Sequence, residues 1–205
     1  MNNTIFFDFY KELLYNKEKG VIKMVEIYCD GSCRGNGKAE NAGGFGVLGV
    51  ITSQEMDSYL QPIIEYKYSE QVVNTTNNRM ELQALIHALE LTQTRYRGQE
   101  CIIYCDSAYC TNMINDWIYS WHNRGWKRAG NKDIENLDLV LKIWEYLKIE
   151  FGNFRICKVR GHEGEIGNEL ADALATGNEA KFVKILKEND DWSAFKEIFD
   201  FPEKL

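Results

Sequence analysis

Apolar and polar residues alternate in short runs along this chain, and two of those runs end alike. Ile27-Tyr28-Cys29-Asp30-Gly31-Ser32 and Ile103-Tyr104-Cys105-Asp106-Ser107 each close a β-branched and aromatic stretch with an aspartate, then a turn or helix starter. That composition predicts two buried strands, each delivering a carboxylate at its carboxyl end. In open α/β sheets ligands bind at that end. Side chains alternate along a strand, so Tyr28 shares a face with Asp30, and Tyr104 with Asp106. If the strands are neighbours, two acids meet at one sheet edge. That costs energy unless a proton or a cation sits between them.

The first of these strands is expected over 23–30. Ahead of it Phe6, Phe7, Tyr10, Leu13 and Leu14 recur at helical spacing and predict a helix over 4–19, stopped by Gly20. Residues 31–46 hold six glycines and read as a loop, with further strands at about 44–53 and 57–68 in an antiparallel meander. A helix over 75–92 carries the stripe Leu82, Leu85, Ile86 and Leu89. Then come a strand at 100–105, a helix from Ser107 to about Trp117, a helix over 134–148 and a strand over 154–159. On the next helix, 166–176, Asn168 and Asp172 are four apart and share a face. Beyond Gly177, Phe182, Val183, Leu186, Trp192, Phe195 and Phe199 predict one or two amphipathic helices. The expected organisation is one domain over 23–177, with an N-terminal helical arm at 1–22 and a C-terminal helical extension at 178–205.

Composition narrows the class. With 205 residues, 44% of them apolar, the chain can bury a sizeable core. Its net charge of −7 argues against a uniformly basic coat. A local basic patch still has reach, because screening acts over about 8–10 Å at physiological salt. The six cysteines lie mostly in predicted strands, without paired zinc spacing, and read as reduced thiols. No apolar run approaches the roughly 20 residues of a membrane span, and Asp8 and Glu12 stand where a signal peptide would be basic. A soluble, cytoplasmic, monomeric protein without membrane partners is expected.

Three segments carry candidate chemistry. In Thr75-Thr76-Asn77-Asn78-Arg79-Met80-Glu81 the pair Asn78 and Glu81 resembles a capping box, which would make Glu81 a helix cap. One cap needs one polar side chain, and this tract has four in a row plus Arg79; amides, hydroxyls and free helix N–H groups together suit a phosphate or a base edge. The second segment spaces Trp117, Trp121 and Trp126 among His122, Arg124, Lys127, Arg128 and Lys132. Tryptophans four apart commonly pack a core, whereas the interleaved cations suggest a protrusion that grips a sugar–phosphate backbone. The third is Gly161-His162-Glu163-Gly164, a loop whose histidine is either idle in solvent or poised beside Asp172 on the following helix.

Taken in order, Tyr-x-Asp-Gly-Ser, Asn-Asn-Arg-Met-Glu, Asp-Ser and Gly-His-Glu-Gly…Asn-Glu-x-x-Asp resemble type I ribonuclease H over about 23–177. The Trp117–Lys132 segment resembles the basic handle of the bacterial and eukaryotic branch. The resemblance implies an α/β fold with a mixed five-stranded sheet, three strands antiparallel and two added in parallel, flanked by helices. It implies an endonuclease that cuts the RNA strand of RNA/DNA hybrids and leaves 5′-phosphate and 3′-hydroxyl ends. Asp30, Glu81, Asp106 and Asp172 match the family's metal-binding acids and His162 its mobile histidine. Asn36, Asn77 and Asn78 match hybrid-contacting residues, and Thr76, with Arg79 beside it, resembles part of a DNA-phosphate pocket. Trp117, Trp121 and Trp126, with Lys127 and Arg128, match the handle. Ala108 departs from the pattern, standing where some relatives carry a substrate-touching glutamine.

The chemistry stands without the name. Four carboxylates suit two Mg²⁺ ions, with Mn²⁺ as a substitute, because hard cations prefer oxygen ligands. Two ions about 3.5–4 Å apart serve phosphodiester hydrolysis. The rivals fit less well: a proofreading exonuclease expects an Asp-x-Glu pair on the first strand, where this chain has Asp30-Gly31-Ser32. A catalytically silent binding module predicts erosion of the acids, and all four are present.

Overall fold

The structure is a computed structural model that describes residues 15–16, 21–35, 41–55, 58–59, 62–148, 154–161, 164–189 and 192. Its spine is strand β2, Val21–Arg34. Val25, Ile27 and Cys29 alternate onto one buried face and Tyr28 onto the other. On one side β2 pairs antiparallel with β3 (Ala42–Glu55), which pairs antiparallel with β5 (Ile63–Val73). On the other side β6 (Cys101–Cys105) joins in parallel, and β7 (Phe154–Lys158) joins β6 in parallel. These five strands are the expected mixed sheet. Two two-residue strands extend it, β1 (Tyr15–Asn16) against β2 and β4 (Ser58–Tyr59) against β3.

Helix α1, Asn77–Gln93, lies across the Val25–Cys29 face, with Leu82, Leu85 and Leu89 fully buried against it. Its ten buried residues make it the main filler of the larger core. Each such aliphatic side chain contributes about 1.5–3 kcal/mol. After β6 the chain turns into α2 (Ala108–Asn112), passes through one π-helical stretch, Met113–Trp117, and continues as α3 (Ile118–Asn123). Helix α4, Leu137–Leu147, closes this layer through Leu139, Val140 and Ile143. On the opposite face α5 (Ile166–Ala175) and α6 (Glu179–Glu188) bury Leu170, Phe182 and Ile185 with Tyr28, Leu48, Val50, Ile64 and Trp192. Among the described residues no helix is long and apolar enough to cross a membrane, and the six cysteines are free thiols.

Three expectations need correction. Tyr15–Asn16 is strand, not the end of a helix; residues 4–14 of that predicted helix lie outside the described residues. The glycine-rich stretch is not a loop from 31 to 46: β2 runs on to Arg34 and β3 begins at Ala42. Its glycines serve close approach. A Cβ at Gly46 would lie 2.4 Å from Ala171 O, and one at Gly44 equally close to Ala175 O, so bare backbone on β3 is what lets α5 lie down on the sheet. The predicted strand at 57–68 splits into β4 and the later β5, with a register shift between Gly49 and Val50 on the partner strand.

Candidate active site

The carboxyl end of β6 lies beside β2 at Cys29, because the two strands are parallel and Cys29 pairs with Cys105. An aspartate follows on each side at the same level: Asp106 just past the end of β6, and Asp30 still on β2, opposite Gly46 of β3. One step earlier, Tyr28 and Tyr104 stack with ring centroids 4.9 Å apart, as two side chains on one face of paired strands should. Ser107 then caps α2, its hydroxyl accepting from Cys110 N–H at 3.3 Å, which turns the chain immediately after Asp106.

Glu81 arrives from the other layer, on the first turns of α1. The cap of that helix is Thr76, whose hydroxyl accepts from Arg79 N–H at 3.3 Å, and not the Asn78–Glu81 box read from the sequence. With the capping done by Thr76, Glu81 is released for the site. Asn77 fixes it: Asn77 Oδ1 accepts from Cys33 N–H at 3.2 Å, and Asn77 Nδ2 donates to Glu81 Oε1 at 3.3 Å. The other carboxylate oxygen, Glu81 Oε2, is buried with no hydrogen-bond partner among the described residues.

Asp30, Glu81 and Asp106 each offer an oxygen, and these atoms lie within 4.8 Å of one another. Asp30 is 6% exposed and Glu81 8%. Burial, with the charges of Asp106 and Asp172 added, pushes the Asp30 carboxyl up to about 8. Burial pushes Glu81 higher, to about 10, with Cys105, Asp30 and Asp106 contributing. Neither acid carries a negative charge comfortably here unless a cation shares the space. An all-oxygen donor set with one orphaned buried oxygen fits a hard divalent ion. Beneath it Cys105 and Cys110 form a second close group with Glu81. Sequence spacing gave no sign of that group, which the fold assembles from a strand end and a helix.

Asp172 belongs to α5. It is near enough to raise Asp30, but it stands apart from the trio, and its Oδ2 is held by Lys181 Nζ of α6. Asn168, one turn earlier, is 1% exposed; its Nδ2 donates to Asp106 Oδ2 at 3.4 Å, and its Oδ1 is buried without a partner among the described residues. Gly161 also touches the site, because a Cβ there would lie 2.6 Å from Asp106 Oδ2. His162 and Asn36 lie outside the described residues.

The remaining candidates scatter. Asn78 is exposed beside Thr76 at the start of α1. Arg79 makes a two-pronged ion pair with Asp138, at 2.7 and 3.1 Å, and also reaches Asn136. Trp121 is 7% exposed and part of the core, whereas Trp117 is 36% exposed and tilted against it with centroids 5.8 Å apart. Trp126, at φ 64, meets the edge of Trp144, on which His122 stacks at 4.5 Å. Lys127 pairs with Asp133 and Arg128 with Glu135, so local acids partly neutralise this protrusion. A cleft of about 340 Å³ runs between it and α2, lined by Tyr109, Trp117, Arg124 and Arg128.

The family model for RNase H matches residues 22–180, spanning every strand of the main sheet and all the acids just described. The chain belongs to the ribonuclease H family. It is 39% identical over 153 residues to Ribonuclease H of Janthinobacterium sp. (strain Marseille), covering 74% of this chain and 92% of that protein. It is 36% identical over 173 residues to Ribonuclease H of Orientia tsutsugamushi (strain Boryong), covering 83% and 91%. Among solved structures it resembles LC9-RNase H1, described as a type 1 RNase H with the type 2 active-site motif, at 28% identity and a TM-score of 0.62, covering 88% of each chain. The solution structure of the PFV RNase H domain, at 21% identity and a TM-score of 0.62, shares the fold. The place of this chain is therefore among type I ribonucleases H, and its activity is that of a nuclease.

Proposed function

We propose that this chain hydrolyses the RNA strand of RNA/DNA hybrids, leaving 5′-phosphate and 3′-hydroxyl ends, with Asp30, Glu81, Asp106 and Asp172 holding two Mg²⁺ ions. The observation that carries the reading is the Asp30–Glu81–Asp106 cluster at the carboxyl edge of paired parallel strands, in a member of this family. Bound divalent ions would supply an activated water and charge stabilisation on the scissile phosphate; Mn²⁺ serves as a substitute.

The chain's own residues do the rest. Asp30 would be the ligand common to both ions, Glu81 and Asp106 would hold one of them and Asp172 the other. Glu81 also senses the 2′-hydroxyl beside the cut, the group that separates RNA from DNA. Asn77 holds Glu81 in place, and Asn168 does the same for Asp106. His162, on its glycine-flanked loop, carries the proton away or aids product release. Asn36, Asn77 and Asn78 contact the hybrid near the cut, and Thr76 forms part of a pocket for a phosphate of the DNA strand. Trp117 with Arg124, Lys127 and Arg128 grips a backbone farther along, while Trp121 and Trp126 support that surface from beneath. Because acids already partner the handle cations, affinity for hybrid is modest and falls with salt.

The test is cleavage of an end-labelled RNA strand, alone, in duplex RNA and in a hybrid, by wild type and Asp106→Asn, each with Mg²⁺ and with EDTA. RNA cut only in the hybrid, only with metal and only by wild type is the expected result. Hybrid bound but uncut under Mg²⁺ and Mn²⁺ alike would mean a silent binding module instead.

A further inference from the structure

Asp172 has a partner that the four-acid pattern does not contain. Lys181 Nζ donates to Asp172 Oδ2 as a hydrogen-bonded ion pair, across the turn that joins α5 to α6. The geometry of that turn is well fixed. Thr176 N–H donates to Asp172 O at 2.9 Å, Asn178 N–H to Ala173 O at 2.8 Å, and Gly177 supplies the positive φ of 64° that reverses the chain. Asn178 then caps α6, its Oδ1 accepting from Lys181 N–H at 3.0 Å. Behind the lysine, Phe182 and Ile185 anchor α6 in the smaller core. The lysine backbone is held by its helix cap and core anchors, while its ammonium ends a flexible stem 35% exposed to solvent.

We propose that Lys181 is a resident cation on Asp172 that competes with a divalent ion for the same carboxylate oxygen. It thereby sets the metal concentration at which the site becomes complete. This rests on the reading of Asp172 as a metal-holding acid. In the free protein the ammonium relieves the crowding of Asp172 with Asp30. When an ion takes Asp172, the ammonium must swing out along its exposed side, and its charge opposes the incoming ion at short range. Removing that charge strengthens binding at the Asp172 position on the order of tenfold. The Asp30–Glu81–Asp106 position, which Lys181 does not touch, responds less.

The experiment titrates Mn²⁺ into the full chain by electron paramagnetic resonance, without nucleic acid. It compares wild type, Lys181→Gln, Lys181→Arg and the α6 surface control Lys184→Gln, whose lysine pairs along its own helix with Glu188. The weaker Mn²⁺ is expected to bind about tenfold more tightly in Lys181→Gln and as in wild type in the other two variants. A Lys181→Gln isotherm within twofold of wild type, or weaker, overturns the proposal. A second measurement needs no variant: acetylation of lysines in wild type, read by mass spectrometry, should show Lys181 becoming more reactive as Mn²⁺ is added while Lys184 stays constant. Unchanged Lys181 reactivity at saturating Mn²⁺ counts against it equally. Absence of Mn²⁺ binding in every variant would overturn the metal reading itself, whereas bound Mn²⁺ with no effect at Lys181 overturns this inference alone.

Discussion

Gly31 lies directly against the backbone of Glu81: a Cβ on Gly31 would stand 2.1 Å from Glu81 N and 2.6 Å from Glu81 Cα. The strand that carries Asp30 and the helix that carries Glu81 therefore meet main chain to main chain. Gly31→Ala must push α1 off the sheet. It is expected to cost about 3 kcal/mol or more, lowering the melting midpoint by roughly 6–12 °C. Cleavage should fall further than stability alone explains, since the displaced element bears a site acid. A thermal melt within 2 °C of wild type (about 1 kcal/mol or less) would mean the contact is soft.

The acids make metal-free stability fall as pH rises. Asp30 is pushed up to about 8 and Glu81 to about 10 by burial, well above the ordinary carboxylate range. A group with a raised folded value binds more protons folded than unfolded, so its stabilisation is complete below about pH 4 and is lost as pH rises through the folded value. With EDTA present, unfolding free energy from urea should drop between pH 5 and pH 9, and Mg²⁺ should restore it. Asp30→Asn should flatten that slope and gain roughly 2–4 kcal/mol at pH 8 without metal. A metal-free protein equally stable at both pH values would contradict the burial argument.

Asn77 tests positioning without removing a carboxylate. It ties the Cys33 backbone to Glu81 Oε1. Asn77→Ala frees the glutamate and should lower kcat about 10–100-fold, the usual effect of losing a residue that orients a metal ligand. Asn77→Asp should not rescue, because it keeps the acceptor for Cys33 N–H but replaces the donor to Glu81 with another acid. Equal activity of all three proteins under saturating Mg²⁺ would remove Asn77 from the site.

Trp117 and Trp121 separate two readings of one motif. Trp121→Ala opens a cavity in the core and should cost about 3–5 kcal/mol. Trp117→Ala, at an exposed ring beside the Arg124–Arg128 cleft, should leave the melt within about 1 kcal/mol and raise KM for hybrid several-fold. The reverse pattern would place the grip elsewhere.

Much of this was legible in the residues. Apolar alternation ending in Asp30 and Asp106 gave both strands and their carboxylates, because a period of two is a direct consequence of the extended backbone. Helix α1 was equally clear from its leucine stripe. The glycines from 31 to 46 misled, since composition does not distinguish a glycine that turns the chain from one that lets a helix approach; only contact of Gly44 and Gly46 with α5 decides it. Trp117 and Trp121 share a spacing, yet one is exposed and the other buried. A single element's periodicity says which residues go together, not how far toward solvent its neighbours leave them. The Lys181–Asp172 pair joins residues on two helices across a turn. No local pattern marks it.

Lys181 stands one residue beyond the family match, which ends at residue 180. Helix α6 thus begins inside that match and runs on past it, with Phe182 and Ile185 buried in the smaller core. Lys181 can be exchanged without altering any of the four acids. On the proposal above, that one change would alter how much metal the chain needs while its acids stay the same, a dial placed outside the machine it sets.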